Sequence, residues 1–92
     1  MGITDDIKKI LGICNNEFDT IITNYVQAGK LDLQEAGIIQ EKIVDTDTLI
    51  YSALVSFVLS MIDTYEYREL NASAYALQKD QLRHYKDYTQ AS

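Results

Sequence analysis

The residue types that carry catalytic chemistry occur singly in this 92-residue chain: one cysteine, Cys14, and one histidine, His84. A thiol nucleophile needs a neighbouring base and an orienting group, and a tetrahedral zinc site needs four ligands. Cys14 follows Ile13 in an apolar stretch, which predicts a buried structural thiol. His84 stands between Arg83 and Tyr85 in a polar stretch and is predicted to be solvent-exposed. The sequence therefore predicts no enzyme, no cofactor and no metal site.

The net charge of the chain is −6, with 14 acidic and 8 basic residues. Proteins that grip a phosphate backbone carry a basic patch, because lysine and arginine neutralise the phosphates. A chain with this acidic charge is not expected to carry such a basic patch. Sequence-specific nucleic-acid binding is therefore disfavoured.

The most distinctive segment is Thr48–Ile62, fifteen residues without a charge. An Asp-Thr-Asp triplet at 45–47 precedes it and is placed to cap a helix and complement its dipole. A helix that is apolar nearly all round is buried on most faces. It is too short for a membrane span, which needs about twenty apolar residues. The N-terminus has no apolar signal region, so a cytoplasmic protein is expected.

The rest of the chain also indicates helices, since proline is absent and there are only four glycines. A first short helix is expected from Thr4, ending at Gly12, and a second from Asn15 or Asn16 to Gly37. Gly29 inside the second helix predicts a close helix crossing or a bend. A fourth helix is expected over residues 65–86, half-exposed, with two weakly apolar stripes. One stripe is Leu70, Ala74, Leu77 and Gln81, and the other is Tyr75, Gln78, Leu82 and Tyr85. Residues 38–46 fit either an extended connector or a brief strand.

These patterns predict an all-α fold, a small bundle of about four helices: a short N-terminal helix, a long second helix, a buried central helix and a C-terminal helix. Residues 1–92 form one domain, with 85–92 expected to be a loose tail. The predicted core joins the central helix to the second helix through eight side chains: Leu54, Phe57, Val58, Met61, Ile21, Ile22, Tyr25 and Val26.

Seven tyrosines and no tryptophan are present, and five of the tyrosines lie in the last third of the chain. Tyrosine offers a large contact area with a polar tip, which suits partly exposed interfaces. The tyrosines either line the groove between the last two helices or form a partner surface. Candidate partner-binding residues are Leu82, Arg83, Tyr85, Lys86 and Tyr88.

The order of these segments resembles a family of small head-tail connector proteins. The phrases that carry the resemblance are DDIKKILGI (5–13), IITNYVQAGKLDLQEAGI (21–38), DTLIYSALVSFVL (47–59) and QKDQLRHYKDYT (78–89). These connectors, also called DNA-packaging or head-completion adaptors, belong to long-tailed bacteriophages and prophages. Thr48 departs from the family pattern, because many members have proline after the aspartate that opens the central helix.

The resemblance implies a structural role in the virion neck, with assembly in the cytoplasm of the bacterial host. Family members form a ring, commonly dodecameric, below the portal once the genome is packaged. They bridge the portal protein to the next connector or stopper, and their C-terminal end helps attach the subunit to the portal. The implied partners are therefore those two proteins and further copies of the chain, with no membrane and no sequence-specific nucleic acid. The isolated protein is expected to be a monomer or a loose oligomer.

Two alternatives remain open from the residues alone. A small helical DNA-binding or anti-repressor regulator would need a recognition helix, for which only residues 71–83 come close. A four-helix interaction module unrelated to phages is the other alternative.

Overall fold

A computed structural model describes residues 2–90 of the chain. Within that range the fold is all-α, with four helices of nine or more residues, one short helix and no strand. The helices are α1 Ile3–Leu11, α2 Asp19–Glu35, α3 Thr48–Ile62, α4 Tyr65–His84 and α5 Lys86–Thr89. The predicted bundle of about four helices is confirmed.

Helix α1 begins one residue earlier than predicted. Gly2 is its N-cap residue, so Thr4 lies within the first turn, where its hydroxyl is 3.3 Å from that of Thr23 on α2. The end is as predicted: Gly12 adopts a left-handed conformation with φ of 74°, and its N–H donates to carbonyls of the last turn. Glycine enters that conformation without the steric cost that a Cβ would add.

Helix α2 begins later than predicted, at Asp19, with Phe18 as its N-cap residue. The side chain of Asn15 accepts from the N–H of Glu17 instead, in the turn that precedes the helix. At the other end, Gly37 has φ of 105° and Ile38 folds back onto the last turn. The N–H of Ile38 donates to the carbonyl of Leu33 at 3.1 Å, and both side chains are buried.

The segment 38–46, which fitted either a connector or a strand, is a connector that contains a 3₁₀ turn over Gln40–Lys42. It leads to Asp47, whose carboxylate accepts from the N–H groups of Leu49 and Ile50 at 3.0 and 3.1 Å. The predicted cap of the central helix is therefore confirmed, and these bonds satisfy two donors that the first helical turn leaves open.

Helix α3 is the centre of the bundle, packed against both α2 and α4. Gly29 of α2 lies against it, and a Cβ at that position would be 3.0 Å from the ring of Phe57 and 3.1 Å from Leu54. The predicted close helix crossing at Gly29 is thus confirmed. On the other side of α3, Gln78 of α4 donates to the hydroxyl of Ser52 at 2.9 Å.

The core differs in part from the one predicted. Ile22, Val26, Leu54 and Val58 are buried as expected, and Phe57 and Tyr25 pack against the core while partly exposed. Ile21 and Met61 were wrongly placed in the core, since their side chains are 46% and 45% exposed. Both lie on helix positions next to buried neighbours, at the edge of the apolar face. The buried side chains that the prediction left out come from every part of the chain: Ile3, Ile7, Leu33, Ile38, Ile43, Ile50, Ala53, Leu59, Tyr75 and Leu82.

Helix α4 is fixed by Tyr75, which is buried. Its ring meets that of Phe57 edge-on with centroids 5.1 Å apart, and its hydroxyl donates to the carboxylate of Asp32 on α2. Lys79 also reaches Asp32, at 3.0 Å. The stripe of α4 that contains Tyr75 and Leu82 therefore faces the core, and the stripe with Leu70 and Leu77 faces outward.

Candidate functional site

The C-terminal end of the chain forms a small surface beside the first turn of α3. Helix α4 ends at His84 because Tyr85 adopts an extended conformation, with φ of −91° and ψ of 121°. The chain then makes one further helical turn, α5. Leu49, Tyr85, Lys86, Asp87 and Tyr88 line a shallow hollow where this turn meets α3. We call this region, with the adjacent Arg83, the C-terminal surface.

Tyr88 attaches this surface to the bundle. Its hydroxyl donates to the two carboxylate oxygens of Asp47 at 3.0 and 2.8 Å, and its carbonyl accepts from the N–H of Ile39 at 2.8 Å. The segment predicted to be a loose tail therefore has defined contacts as far as residue 90. Residues 91 and 92 lie outside the described part of the chain. That the segment 85–92 is loose in solution stays a prediction.

The electrostatics of this contact favour a neutral tyrosine and an ionised aspartate. Burial, together with the hydrogen bond to Asp47 and its negative charge, raises the pKa of Tyr88 to about 12. Burial acts to raise the pKa of Asp47, but the hydrogen bonds from Ile50, Tyr88 and Leu49 outweigh it. They hold the pKa of that carboxyl below its ordinary value of 3.8. The arrangement therefore binds and orients a segment of chain.

Four of the five candidate partner-binding residues lie together on the C-terminal surface. Arg83 and Lys86 are exposed, Tyr85 is 48% exposed, and Tyr88 is half-buried with its ring 6.1 Å from that of Tyr85. Leu82 differs, because it is 2% exposed and packs in the core. Its position on α4 shows why: it follows Tyr75 by seven residues and so lies on the same inward face.

Sequence reasoning missed one apolar member of this region. Leu49 is 44% exposed, although it belongs to the apolar run of α3. The signal that could have revealed this exposure is Asp47. A capping residue marks the end of a helix. Where a helix ends at the surface of a domain, the first side chains of that helix are partly uncovered. The exposed apolar atoms of Leu49 and Tyr85 give this surface a contact area beyond its charges.

A second apolar surface lies at the opposite end of α3. It is a groove lined mainly by six apolar side chains, Leu11, Ile13, Phe18, Ile21, Ile22 and Ile62. Cys14 is adjacent in sequence and is exposed, so the prediction of a buried thiol is wrong. The reason is local: Gly12 turns the chain outward after α1, and Ile13 alone folds back toward the core.

The groups that could carry chemistry remain dispersed. Among residues 2–90, no cluster of histidine, cysteine, aspartate and glutamate could hold a metal ion. His84 is exposed as predicted, and its Nδ1 lies 2.7 Å from the carbonyl of Asp80. No helix within the described range is long and apolar enough to cross a membrane.

The helix considered for DNA contact has little free positive charge. Lys79 is engaged by Asp32, and only Arg83 remains as an exposed cation between residues 71 and 83. Near the start of the same helix the exposed Arg68 is flanked by two exposed carboxylates, Glu66 and Glu69. The structure therefore gives no support to the alternative that this protein is a DNA-binding regulator.

Comparison with known proteins identifies one family. The model of the phage connector protein family matches residues 3–86, which is most of the chain and includes Asp47 and Tyr85 but not Tyr88. No curated protein and no solved structure matches. The chain therefore belongs to the phage connector protein family, whose members are structural components of the virion and not enzymes.

Proposed function

We propose that this protein is a subunit of a ring that docks below the portal after the genome is packaged, and that the ring bridges the portal to the next connector or stopper. Membership of the connector family supports a position between head and tail. Formation of the ring, its contact with the portal and its contact with the next connector are what we add to that position.

The observation that carries the portal contact is the C-terminal surface. Tyrosine and arginine are over-represented among the residues that dominate binding energy at interfaces. Here Tyr85 is exposed beside Leu49, and Arg83 and Lys86 are exposed beside it. Within residues 2–90 neither cation lies within ion-pair distance of a carboxylate. An aromatic anchor flanked by two available cations fits a partner surface with an apolar pocket and acidic rim.

The charge of the chain agrees with this role. A ring through which DNA passes should not bind the phosphate backbone tightly, and a net charge of −6 disfavours such binding. A gel shift at low salt should show no tight complex with duplex DNA. Tight, salt-sensitive binding would instead support the regulator.

The portal contact is tested by a matched pair of tyrosine substitutions. Tyr85→Ala removes the exposed anchor of the C-terminal surface, and Tyr65→Ala removes a tyrosine that is 80% exposed at the other end of α4. Both variants should remain folded by circular dichroism. Tyr85→Ala should lower incorporation into portal-containing particles at least tenfold, and Tyr65→Ala should not. Equal incorporation of both variants would place the portal contact elsewhere.

A further inference from the structure

A single residue separates α4 from α5, and nothing in the local sequence accounts for the break. Helix α4 ends at His84, α5 begins at Lys86, and Tyr85 between them is extended. The residues that most often break helices are proline and glycine. This chain has no proline, and its last glycine is Gly37. The extended conformation of Tyr85 is therefore imposed by contacts with the rest of the fold.

Tyr88 holds the segment 85–90, which we call the latch, against the bundle. Its hydroxyl donates to the carboxylate of Asp47, 2.8 Å from the nearer oxygen. Its carbonyl accepts from the N–H of Ile39 at 2.8 Å. Its ring packs against the core while it remains partly exposed. The attachment of the latch thus depends largely on one residue.

The backbone of the latch can exchange these contacts for helical hydrogen bonds. In the structure the N–H of Tyr85 donates to the carbonyl of Leu82, three residues back, at 3.2 Å. The N–H of Tyr88 donates to the carbonyl of Tyr85 in the same way, at 3.1 Å. If Tyr85 became helical, the N–H groups of residues 85–88 would donate instead to the carbonyls of residues 81–84. The docked latch and a continuous helix are therefore two alternative arrangements of the same backbone groups.

A continuous helix would present the C-terminal residues differently. Residues 85–90 would lengthen α4 by about 9 Å, since each helical residue adds about 1.5 Å. Tyr85 and Tyr88 would lie on one side of this extension, because residues three apart are neighbours on a helix. Arg83 and Lys86 would lie on the other side for the same reason. A helix with one aromatic side and one charged side is suited to insertion into a groove of a partner.

We propose that the latch is docked in the free subunit and released in the neck, where α4 continues as one helix and inserts Tyr85 and Tyr88 into a groove of the portal. The trigger rests on the proposed function, whereas the two states of the latch are a property of the free chain. A partner that binds only the released form shifts the chain toward it. The bundle survives the release, because Asp47 still accepts from the N–H groups of Leu49 and Ile50 and so still caps α3.

Lys86→Pro blocks the continuous helix and leaves the docked latch intact. Proline is favoured at the first position of a helix, which Lys86 occupies in α5. It also requires an extended residue before it, and Tyr85 has φ of −91° and ψ of 121°. In a continuous helix the same proline would lose the bond to the carbonyl of Leu82 and clash with that carbonyl. Lys86→Ala is the matched control, because it removes the same charge and leaves both states available.

The two states are measured first in the free protein, by nuclear magnetic resonance of residues 39 and 85–90. Tyr88→Phe removes the hydroxyl that binds Asp47 and should shift the latch toward the released form. The Cα chemical shift of Tyr85 should then move from the extended toward the helical range. The N–H of Ile39 should exchange with solvent at least tenfold faster than in the Lys86→Pro protein. A Tyr85 shift that stays extended, or a latch that leaves the bundle without becoming helical, would overturn the continuous helix.

Release in the neck is measured by incorporation into portal-containing particles. Lys86→Pro should be incorporated at least tenfold less than Lys86→Ala, with both proteins folded by circular dichroism. Equal incorporation of the two proteins would overturn the release. If Tyr85→Ala is excluded from particles in that case and Tyr65→Ala is not, the proposed portal contact stands without the latch.

Discussion

The hydroxyl of Tyr88 donates to the same carboxylate, that of Asp47, which caps the first turn of the central helix. The two residues are 41 positions apart in the chain, so this pair joins the C-terminal segment to the start of α3. The contact makes the position of the C-terminal surface depend on the cap of the core helix.

Tyr88→Phe should therefore destabilise the protein by about 1 kcal/mol, since it removes a hydrogen bond to a charged group that is only partly buried. Asp47→Ala should cost about 2 kcal/mol, because it also removes the cap. The double variant should cost less than the sum of the two in chemical denaturation, since the substitutions share one bond. Tyr85→Phe is the control and should change stability little. A Tyr88→Phe protein as stable as the parent would show that the segment is loose in solution, as the sequence predicted.

Gly29 and Phe57 should also be coupled, in their case through a close steric contact. A Cβ at position 29 would lie 3.0 Å from the ring of Phe57, so Gly29→Ala should destabilise by about 1 kcal/mol despite the better helix propensity of alanine. Phe57→Ala should cost about 3 kcal/mol. In the Phe57→Ala background, Gly29→Ala should stabilise, because the ring is gone. Thermal melts of the four proteins test this, and additive effects would contradict the close crossing.

The acid sensitivity of the fold should depend on Asp32. Burial acts to raise the pKa of Asp32, but the hydrogen bond from Tyr75 and the charge and hydrogen bond of Lys79 outweigh it. They hold the pKa below its ordinary value of 3.8. A carboxyl with a lowered folded-state pKa contributes stability above its unfolded pKa, and this is lost as the pH falls below about 3.8.

Asp32→Asn should thus reduce stability at pH 7 by about 1–2 kcal/mol and make the fall in stability below pH 4 shallower. Glu41→Gln, a change at an exposed carboxylate, serves as the control. Urea denaturation at several pH values measures both effects. An Asp32→Asn protein with the parent's pH profile would show that this carboxylate does not tie α4 to α2.

The helices were predictable because their signals are local. The charge-free run of α3, the cap at Asp47 and the glycine stops at Gly12 and Gly37 each act within a turn or two of chain. The core membership of Ile21, Met61 and Cys14 was not predictable, because burial at the edge of an apolar face depends on where neighbouring helices lie. The spacing of apolar residues identifies the apolar face of a helix, but it does not show how wide the buried part of that face is.

The candidate site was partly predictable for the same reason. Composition identified the tyrosines and cations of the last segment, and Tyr85, Arg83 and Lys86 are indeed exposed. The bond from Tyr88 to Asp47 and the exposure of Leu49 required the packing of α5 on α3. The groove at the end of α3 likewise emerges only from the assembled bundle.

The free protein should be a monomer at micromolar concentration. Its exposed surfaces are small, and stable complexes need interfaces on the order of 1,000 Å² or more. Light scattering coupled to size-exclusion chromatography measures the mass directly, against 10.5 kDa for one chain. A stable closed ring in the absence of partners would contradict assembly on the portal as template.

The central claim is that this chain forms the ring below the portal. Electron cryomicroscopy of the phage neck tests it most directly, with the density of the ring fitted by the bundle of residues 2–90. The account predicts a ring of this protein in contact with the portal, with Tyr85 and Arg83 at the portal side. A neck in which another protein occupies that ring, with this chain absent from purified virions, would contradict it.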